Sequence, residues 1–582
     1  MKKNPSSIVF IVVPILVVVF IAATLHEMKY FYYGWFDPVY AYLMNGLTFA
    51  KGSLDIGHTD HPGTPLQLLS ALIIIIVGFV RGTDDLATDV IAHPELYSAV
   101  ISYVLVLINA TVLYFLGAKV YKATQNKWLA LLIQVVPLLS FDAVHFMPII
   151  ATESILVFST LLLALLMMIY AWPTNKEQHY SIFWFAFLSG VILSTKISAL
   201  PVLAVPFFFI KGTKRKLQYG LFTLFFAFLF VLPILPKLKN FFHFIGAIFT
   251  HTGAYGSGEE KLIDWSIYAA SLRDLFIRDI PFTLHILLLL AGWGWIAGKK
   301  NVAPVLKRIW LGLSAATLIG VIVVARHYSF HYLLPVYVIV MPLQVYFWYS
   351  LSEKWLNQHN CERYAWIVWL IIPLVFVRLV VLFHFYPNIK TPVADTVANI
   401  ESHYHGTYII FNHSSRGGAF PEPALRFGLT YTGSGVKEGY RKIMDENYPD
   451  NYLWSSRDGL SNWNGNVMVA DLFSRNDSLY LYNRSVNCKE SYKEISEMLE
   501  QNGLSGLTTI REVYQNKLSN EVIVVAHNDT SAIKKMLVPT EVILADMENR
   551  TLDKEHFLTE DGDHSFEGGK LQTNTEIGRA HV

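Results

Sequence analysis

The sequence predicts a mainly α, polytopic membrane protein with about eleven transmembrane helices, one interfacial helix and a C-terminal extracytoplasmic α/β domain. Three observations carry this. Of the 582 residues, 53% are hydrophobic and 16% charged, where a soluble domain carries about a quarter charged. Apolar stretches of spanning or near-spanning length recur from Ile8 to about residue 384. Beyond residue 385 the composition turns abruptly to Asn, Ser, Gly, Asp and Glu.

The same totals exclude several classes. A net charge of +1 gives no clustered basic surface for nucleic acid. Cys361 and Cys488 are too few for a disulfide framework or a structural zinc site. No internal repeat and no low-complexity tract is present.

Taken in order, Lys2 and Lys3 precede the apolar run Ile8 to Leu25, which reads as an uncleaved first span. The alternative, a signal peptide, would have only the poor cleavage site "FIAATL". Further apolar stretches lie at 66–80, 96–117, 128–141, 150–172, 181–194, 197–210, 218–236, 281–298, 309–325, 331–350 and 364–384. The stretch 66–80 decides the orientation of everything after it. If it crosses, with the N-terminus inside, then Lys119, Lys122, Lys127, the basic "KGTKRK" at 211–216, and Lys299, Lys300, Lys307 and Arg308 all face outward, against the positive-inside rule. If it lies in the interface, each of those loops becomes cytoplasmic. It is also short for a span and follows Pro62 and Pro65. It is therefore assigned to the interface, inside a long outer first loop, 26–95.

That topology gathers the first loop, the turn "FDAVHFMPIIATES" at 141–154, the loop 237–280 and "ARHYSFHY" at 325–332 on one side, with the tail. The domains expected are 1–384 in the membrane, 385–545 as an extracytoplasmic α/β domain, and 546–582. In the second, "TYIIF", "NVMVADLF", "SLYLYN" and "EVIVVAH" read as strands and "KESYKEISEMLEQNG" as a helix. The last segment reads as the opening of a truncated β-sandwich module, and "EIGRAHV" looks like a translated sequencing adapter.

Four places offer chemistry. Asp37, among Tyr and Trp just past the first span, suits a partly desolvated general base; it could equally cap the helix that Pro38 begins. Asp60 and His61 precede the turn Pro62-Gly63-Thr64-Pro65, which would aim them at a substrate or simply start a helix. Glu153 stands at the mouth of an apolar span, where an acid is expensive and faces a cavity, unless Thr152 caps the helix with Glu153 in its first turn. Arg326, His327 and His331, with Lys196 as a weaker companion, could clamp a lipid phosphate; the other reading is an arginine snorkelling to ordinary headgroups.

Taken together, this order resembles the GT-C glycosyltransferases, the superfamily of protein O-mannosyltransferases and lipid A aminoarabinose transferases. That group has an acid in the first outer loop, a His-Pro or Lys-Pro-Pro turn with an interfacial helix, a second acid, a G-x-x-x-x-x-x-T-K segment and a late R-Y-x-x-P element. This chain offers Asp37, His61-Pro62-Gly63, Glu153, Gly190 to Lys196, and His331-Tyr332 to Pro335, over residues 26 to 340. It departs from the group in having Asp37-Pro38 for Asp-Glu and His61-Pro62-Gly63 for a Pro-Pro turn, which leaves a divalent metal an open question. The resemblance implies sugar transfer, with inversion, from a polyprenyl-phosphate donor to a glycan, lipid or protein acceptor outside a membrane, the bacterial inner membrane for preference. Asp37 and Glu153 would be catalytic, and Asp60, His61, Lys196, Arg326, His327, His331 and Tyr332 would bind substrate. The rival readings are a transporter or lipid flippase, against which stand the missing repeat and the surface position of the polar residues, and a non-catalytic anchor for the tail.

Overall fold

The computed structural model describes residues 10–25, 29–33, 36–59, 61–171, 178–251, 259–261, 263–298, 302–325, 329–352, 365–412 and 417–536. The chain opens with α1 (Val12–Leu25), which buries Val17 and Ile21 one turn apart and exposes Leu16 and Val19. Exposed apolar side chains of this kind recur along the long helices and need a lipid surround. Next come α2 (Phe36–Ala50), α3 (Thr64–Arg81) and the short α4 (Leu86–Ala92). Gly63 starts α3 from a left-handed conformation (φ 59°), with Pro65 in its first turn, and the Asp85 carboxylate caps α4.

The chain continues through α5 (Pro94–Thr124), α6 (Lys127–Val135), α7 (Phe141–Phe146), α8 (Thr152–Ala171), α9 (Gln178–Thr195), α10 (Ala204–Phe209), α11 (Thr213–Val231), α12 (Leu238–Thr250), α13 (Trp265–Arg278), α14 (Ile280–Gly298), α15 (Pro304–Val324), α16 (Leu334–Ser352) and α17 (Ala365–His403). Among the described residues, seven helical stretches are long and apolar enough to cross a membrane: α3, α5, α8, α14, α15, Thr213–Lys237 and His331–Ser350. Shorter apolar helices cover α1, Lys127–Leu139, Ile182–Thr195, Ile197–Phe209, Phe241–Thr250 and Ile367–Val381. Length and composition thus admit α3 as a span, where charge parity assigns it to the interface. Its attachments bear on the choice. At its start, Gly63 N donates to the carbonyl of Thr195, the last residue of α9, and Gly63 lies against the ring of Tyr42. At its end, Arg81 forks onto Asp89 of α4 (2.7 and 2.8 Å), and α4 in turn receives the Tyr448 hydroxyl on the Ile91 carbonyl.

Tyr448 belongs to the C-terminal domain, which α17 enters without a break at residue 385. There β1 (Tyr408–Phe411), α18 (Glu422–Thr430), α19 (Ser434–Asn447), β2 (Asn451–Ser455), β3 (Gly459–Ser461), α20 (Val469–Arg475), β4 (Ser478–Arg484), α21 (Cys488–Gln501), β5 (Thr508–Asn516), β6 (Glu521–Asn528) and α22 (Thr530–Met536) follow. The six-stranded sheet has the order β3-β2-β1-β4-β6-β5, with β1 parallel to both β2 and β4 and the other pairs antiparallel. One expected strand is corrected: in "NVMVADLF" the residues from Val469 onward open α20, because Val469, Leu472 and Phe473 recur at helical spacing and are buried together. Residues 546–582 lie outside the described residues.

The two parts share one core. Ala424, Leu425 and Leu429 of α18 and Tyr440 and Met444 of α19 join the cluster that contains Tyr40, Leu43, Met44 and Leu47 of α2. A Cβ on Gly428 would meet the Tyr40 carbonyl at 2.9 Å, so only glycine permits this approach of α18 to α2. The first loop is therefore clamped between the membrane helices and the C-terminal domain.

Candidate active site

The charged centre is built from three helix ends. Glu153 is the second residue of α8, where the helix dipole favours an anion, and Thr152 donates its hydroxyl to Oε2 (3.0 Å). Lys196 follows the last turn of α9 in extended backbone, and its Nζ donates to Glu153 Oε1 at 2.6 Å. Both residues are 5% exposed. A buried ion pair survives only with good geometry, since each ion loses several kcal/mol of hydration. α9 reaches this point because Gly190 lets it close on α11: a Cβ there would meet Phe226 Cβ at 2.5 Å. From the third side, the turn Phe330–Leu333 brings the Tyr332 ring to 5.1 Å from the Lys196 ammonium. His331 Nδ1 pairs with Ser329 Oγ (2.8 Å), and its ring packs on Tyr332 and Phe146.

The first-loop turn completes the group. His58 and His61 both feel the Lys196 charge, and His61 also feels Glu153 and His331. Burial, then the Lys196 charge, lowers the His58 imidazole to about 4 and holds His61 well below its ordinary value, so both rings are neutral at pH 7. The His58 ring lies edge-on between Tyr42 of α2 and Tyr431 of the C-terminal domain, at 4.9 and 5.1 Å.

Of the residues singled out in the sequence, Glu153, Lys196, His61, His331 and Tyr332 are thus brought together. Asp37 lies in the first turn of α2, but its side chain is outside the described residues, as are Asp60, Arg326 and His327. Among the described residues no three His, Cys, Asp or Glu side chains are grouped to hold a metal ion.

Two contributors were not found from the sequence. Asp55 accepts from Lys237 Nζ (3.2 Å) and from the Gly435 N–H (2.6 Å), while Lys237 also donates to the Ile56 carbonyl (2.6 Å). Arg484 donates from Nη1 to the carbonyls of Tyr32 (2.8 Å) and Gly417 (2.7 Å) and from Nε to Ser519 (3.0 Å), and Gly418 N donates to the Phe31 carbonyl. On its other flank Tyr30 N donates to Glu95 Oε2 (2.8 Å). The backbone just before Asp37 is therefore held by the C-terminal domain on one side and by α5 on the other. No local motif marks these residues, because their partners lie from 35 to 452 positions away.

No family model and no curated protein matches this chain. Among solved structures, the crystal structure of ArnT from Cupriavidus metallidurans bound to undecaprenyl phosphate is similar over 90% of this chain and 98% of that one, at 12% identity and a TM-score of 0.48. At that distance it assigns no residue of this chain a role.

Proposed function

We propose that the chain is a membrane glycosyltransferase that moves a sugar from a polyprenyl-phosphate donor to a glycan, lipid or protein acceptor, on an extracytoplasmic face that carries the C-terminal domain. The observation that carries the reading is the buried Glu153–Lys196 pair, met by Tyr332, His331 and the His61 turn. An ion pair kept at the end of membrane helices is costly, and such groups mark substrate sites more often than packing. Charge parity, together with the attachment of the end of α3, through α4, to the C-terminal domain, supports α3 lying along the membrane face as a wall of this site.

In this reading the donor's apolar tail lies among the lipid-facing helices. Asp37 takes the proton of the acceptor hydroxyl as the oxygen bonds to the sugar's anomeric carbon. The bond from that carbon to the phosphate oxygen breaks, and polyprenyl phosphate leaves with the electron pair. A single displacement inverts the anomeric centre. Lys196 already balances Glu153, so the leaving phosphate draws its extra positive charge from Arg326, with His331 orienting it through a neutral hydrogen bond. No step is assigned to a metal.

The test is release of free polyprenyl phosphate from polyprenyl-phosphate sugars by purified protein with an acceptor extract present. Asp37→Asn is expected to cut release on the order of a hundredfold while the protein still folds. A parent protein that binds or moves such lipids intact, and never releases the phosphate, would be a transporter and ends this reading.

A further inference from the structure

Elsewhere in this fold single buried polar atoms without a partner, such as Ser98 Oγ, Asn126 Nδ2 and Gln134 Oε1, are scattered among groups that are paired. The membrane-domain histidine His285 is one of the paired groups, with Nδ1 on Gln344 Oε1 (2.8 Å) and Nε2 on Thr317 Oγ1 (2.9 Å). The seam between α2 and α3 departs from that pattern. His58 Nδ1 and Nε2, His61 Nδ1, Thr64 Oγ1, Gln67 Oε1 and Ser70 Oγ are all buried without a hydrogen-bond partner. Thr64, Gln67 and Ser70 are fully buried and His58 is 7% exposed.

These atoms share one place. Thr64, Gln67 and Ser70 are three residues apart and form one stripe on α3. Gln67 Nε2 lies 3.5 Å from the His58 carbonyl, and Ser70 faces Gly46 of α2. Each unpaired buried group carries a desolvation penalty that is removed when a partner enters. The chemistry of the seam says which partner. A neutral imidazole offers one donor and one acceptor, the two hydroxyls offer both, and the free amide oxygen accepts. Among the described residues the seam carries no net charge to attract a phosphate, a carboxylate or a cation, and the nearby ammonium of Lys196 is already paired. The rings of Tyr42 and Tyr431 beside His58 supply apolar edges.

We propose that this seam is a recognition subsite for a neutral, hydroxyl-rich group, namely the sugar carried by the donor. The proposal rests on the glycosyltransferase reading above and extends it: the charged centre handles the phosphate, and the neutral seam reads the hydroxyls. It also gives the C-terminal domain a part in specificity through Tyr431. A hydroxyl both donates and accepts, so a ring of hydroxyls satisfies this mixed set where an ion does not. Burial keeps His58 neutral near pH 7, which preserves its acceptor nitrogen.

The experiment compares detergent-purified parent, Thr64→Val, Gln67→Leu and the double variant, each binding two probes: bare polyprenyl phosphate, and polyprenyl phosphate bearing a neutral hexose or pentose. The variants remove hydrogen-bonding atoms with little change of shape, and unchanged thermal unfolding certifies the fold. His58→Asn serves as a further variant, since the ring is packed between two tyrosines. The expected result is a loss of about three- to tenfold per variant for the sugar-linked probe, with the bare lipid bound as by the parent. Equal binding of both probes by parent and variants would mean that the seam holds only water, and would overturn the subsite while leaving the glycosyltransferase reading standing. An equal loss for both probes would overturn it too, by assigning the seam to the phosphate. A parent that binds neither probe would remove the glycosyltransferase reading and the subsite with it.

Discussion

Glu153 of the membrane domain and Glu422 of the C-terminal domain are buried carboxylates held in opposite ways. Glu153 is matched by the ammonium of Lys196, 2.6 Å away. Glu422 and Glu521 have neutral hydrogen-bond partners, with the Arg484 charge also acting on Glu521. Asn451 donates to Glu422 Oε1 while Oε2 has no partner, and Glu521 accepts from the hydroxyls of Tyr482 (2.5 Å), Ser519 (2.5 Å) and Thr396 (2.6 Å). Burial pushes the Glu422 carboxyl up to about 7 and raises that of Glu521. An acid given its own cation holds an ion pair in a place where charge is expensive, and under the proposed function that pair serves the site. An acid given only neutral donors protonates with ease and serves to join strands and helices. A half-buried cation of the C-terminal domain follows a third course: Arg484 spends its donors on backbone carbonyls, one of them Tyr32 in the first loop.

The largest effect tests the first half of this contrast. Glu153→Gln leaves Lys196 buried without its counter-charge, and an expected cost of about 3–5 kcal/mol in stability accompanies loss of transfer. The double variant Glu153→Gln, Lys196→Met should regain most of that stability in thermal unfolding without regaining activity. Recovery of both together would make the pair structural and erase the distinction between the two domains.

Next in size is Arg484→Ala. It frees the Tyr32 carbonyl and so loosens the turn before Asp37, and turnover should fall about tenfold with the donor's KM little changed. Arg484→Lys should recover only part, because one ammonium cannot reproduce the fork onto Tyr32, Gly417 and Ser519. Parent-like turnover in Arg484→Ala would show that the C-terminal domain does not position the loop.

The smallest effect sharpens the other half. A carboxyl raised from 4.5 to about 7 in the folded chain stabilises it fully below about pH 4.5, and that contribution is lost as pH rises through about 7. Glu422→Gln, which stays neutral, should therefore flatten the fall of the C-terminal domain's melting temperature between pH 5 and pH 8 and leave transfer unchanged. Equal slopes for parent and variant would mean that Glu422 is not the titrating group.

Much of this was legible in the sequence. Apolar runs located most of the long helices, and β1, β4, β6 and α21 stand where strand and helix patterns put them. "NVMVADLF" misled because a short apolar run fits either period until its neighbours are known. Strands β2, β3 and β5 gave no comparable signal: β5 is half-exposed and polar, and β3 is three residues long. At the candidate site, Glu153, Lys196, His61, His331 and Tyr332 were all named from one chain-long order of motifs, yet the pairing of Lys196 with Glu153, 43 residues apart, was not readable from it.

The sequence by itself determined the broad architecture, because hydropathy and charge act locally: a run of apolar residues must leave water, and the change of composition near residue 385 must return to it. Tertiary structure alone decided which polar groups meet. Asp55 reaches Gly435, Arg484 reaches Tyr32, and His58 is enclosed by Tyr42 and Tyr431. Such contacts depend on how helix ends and loops converge after packing, and pairing or orphaning a polar atom is a property of that convergence rather than of any stretch of chain.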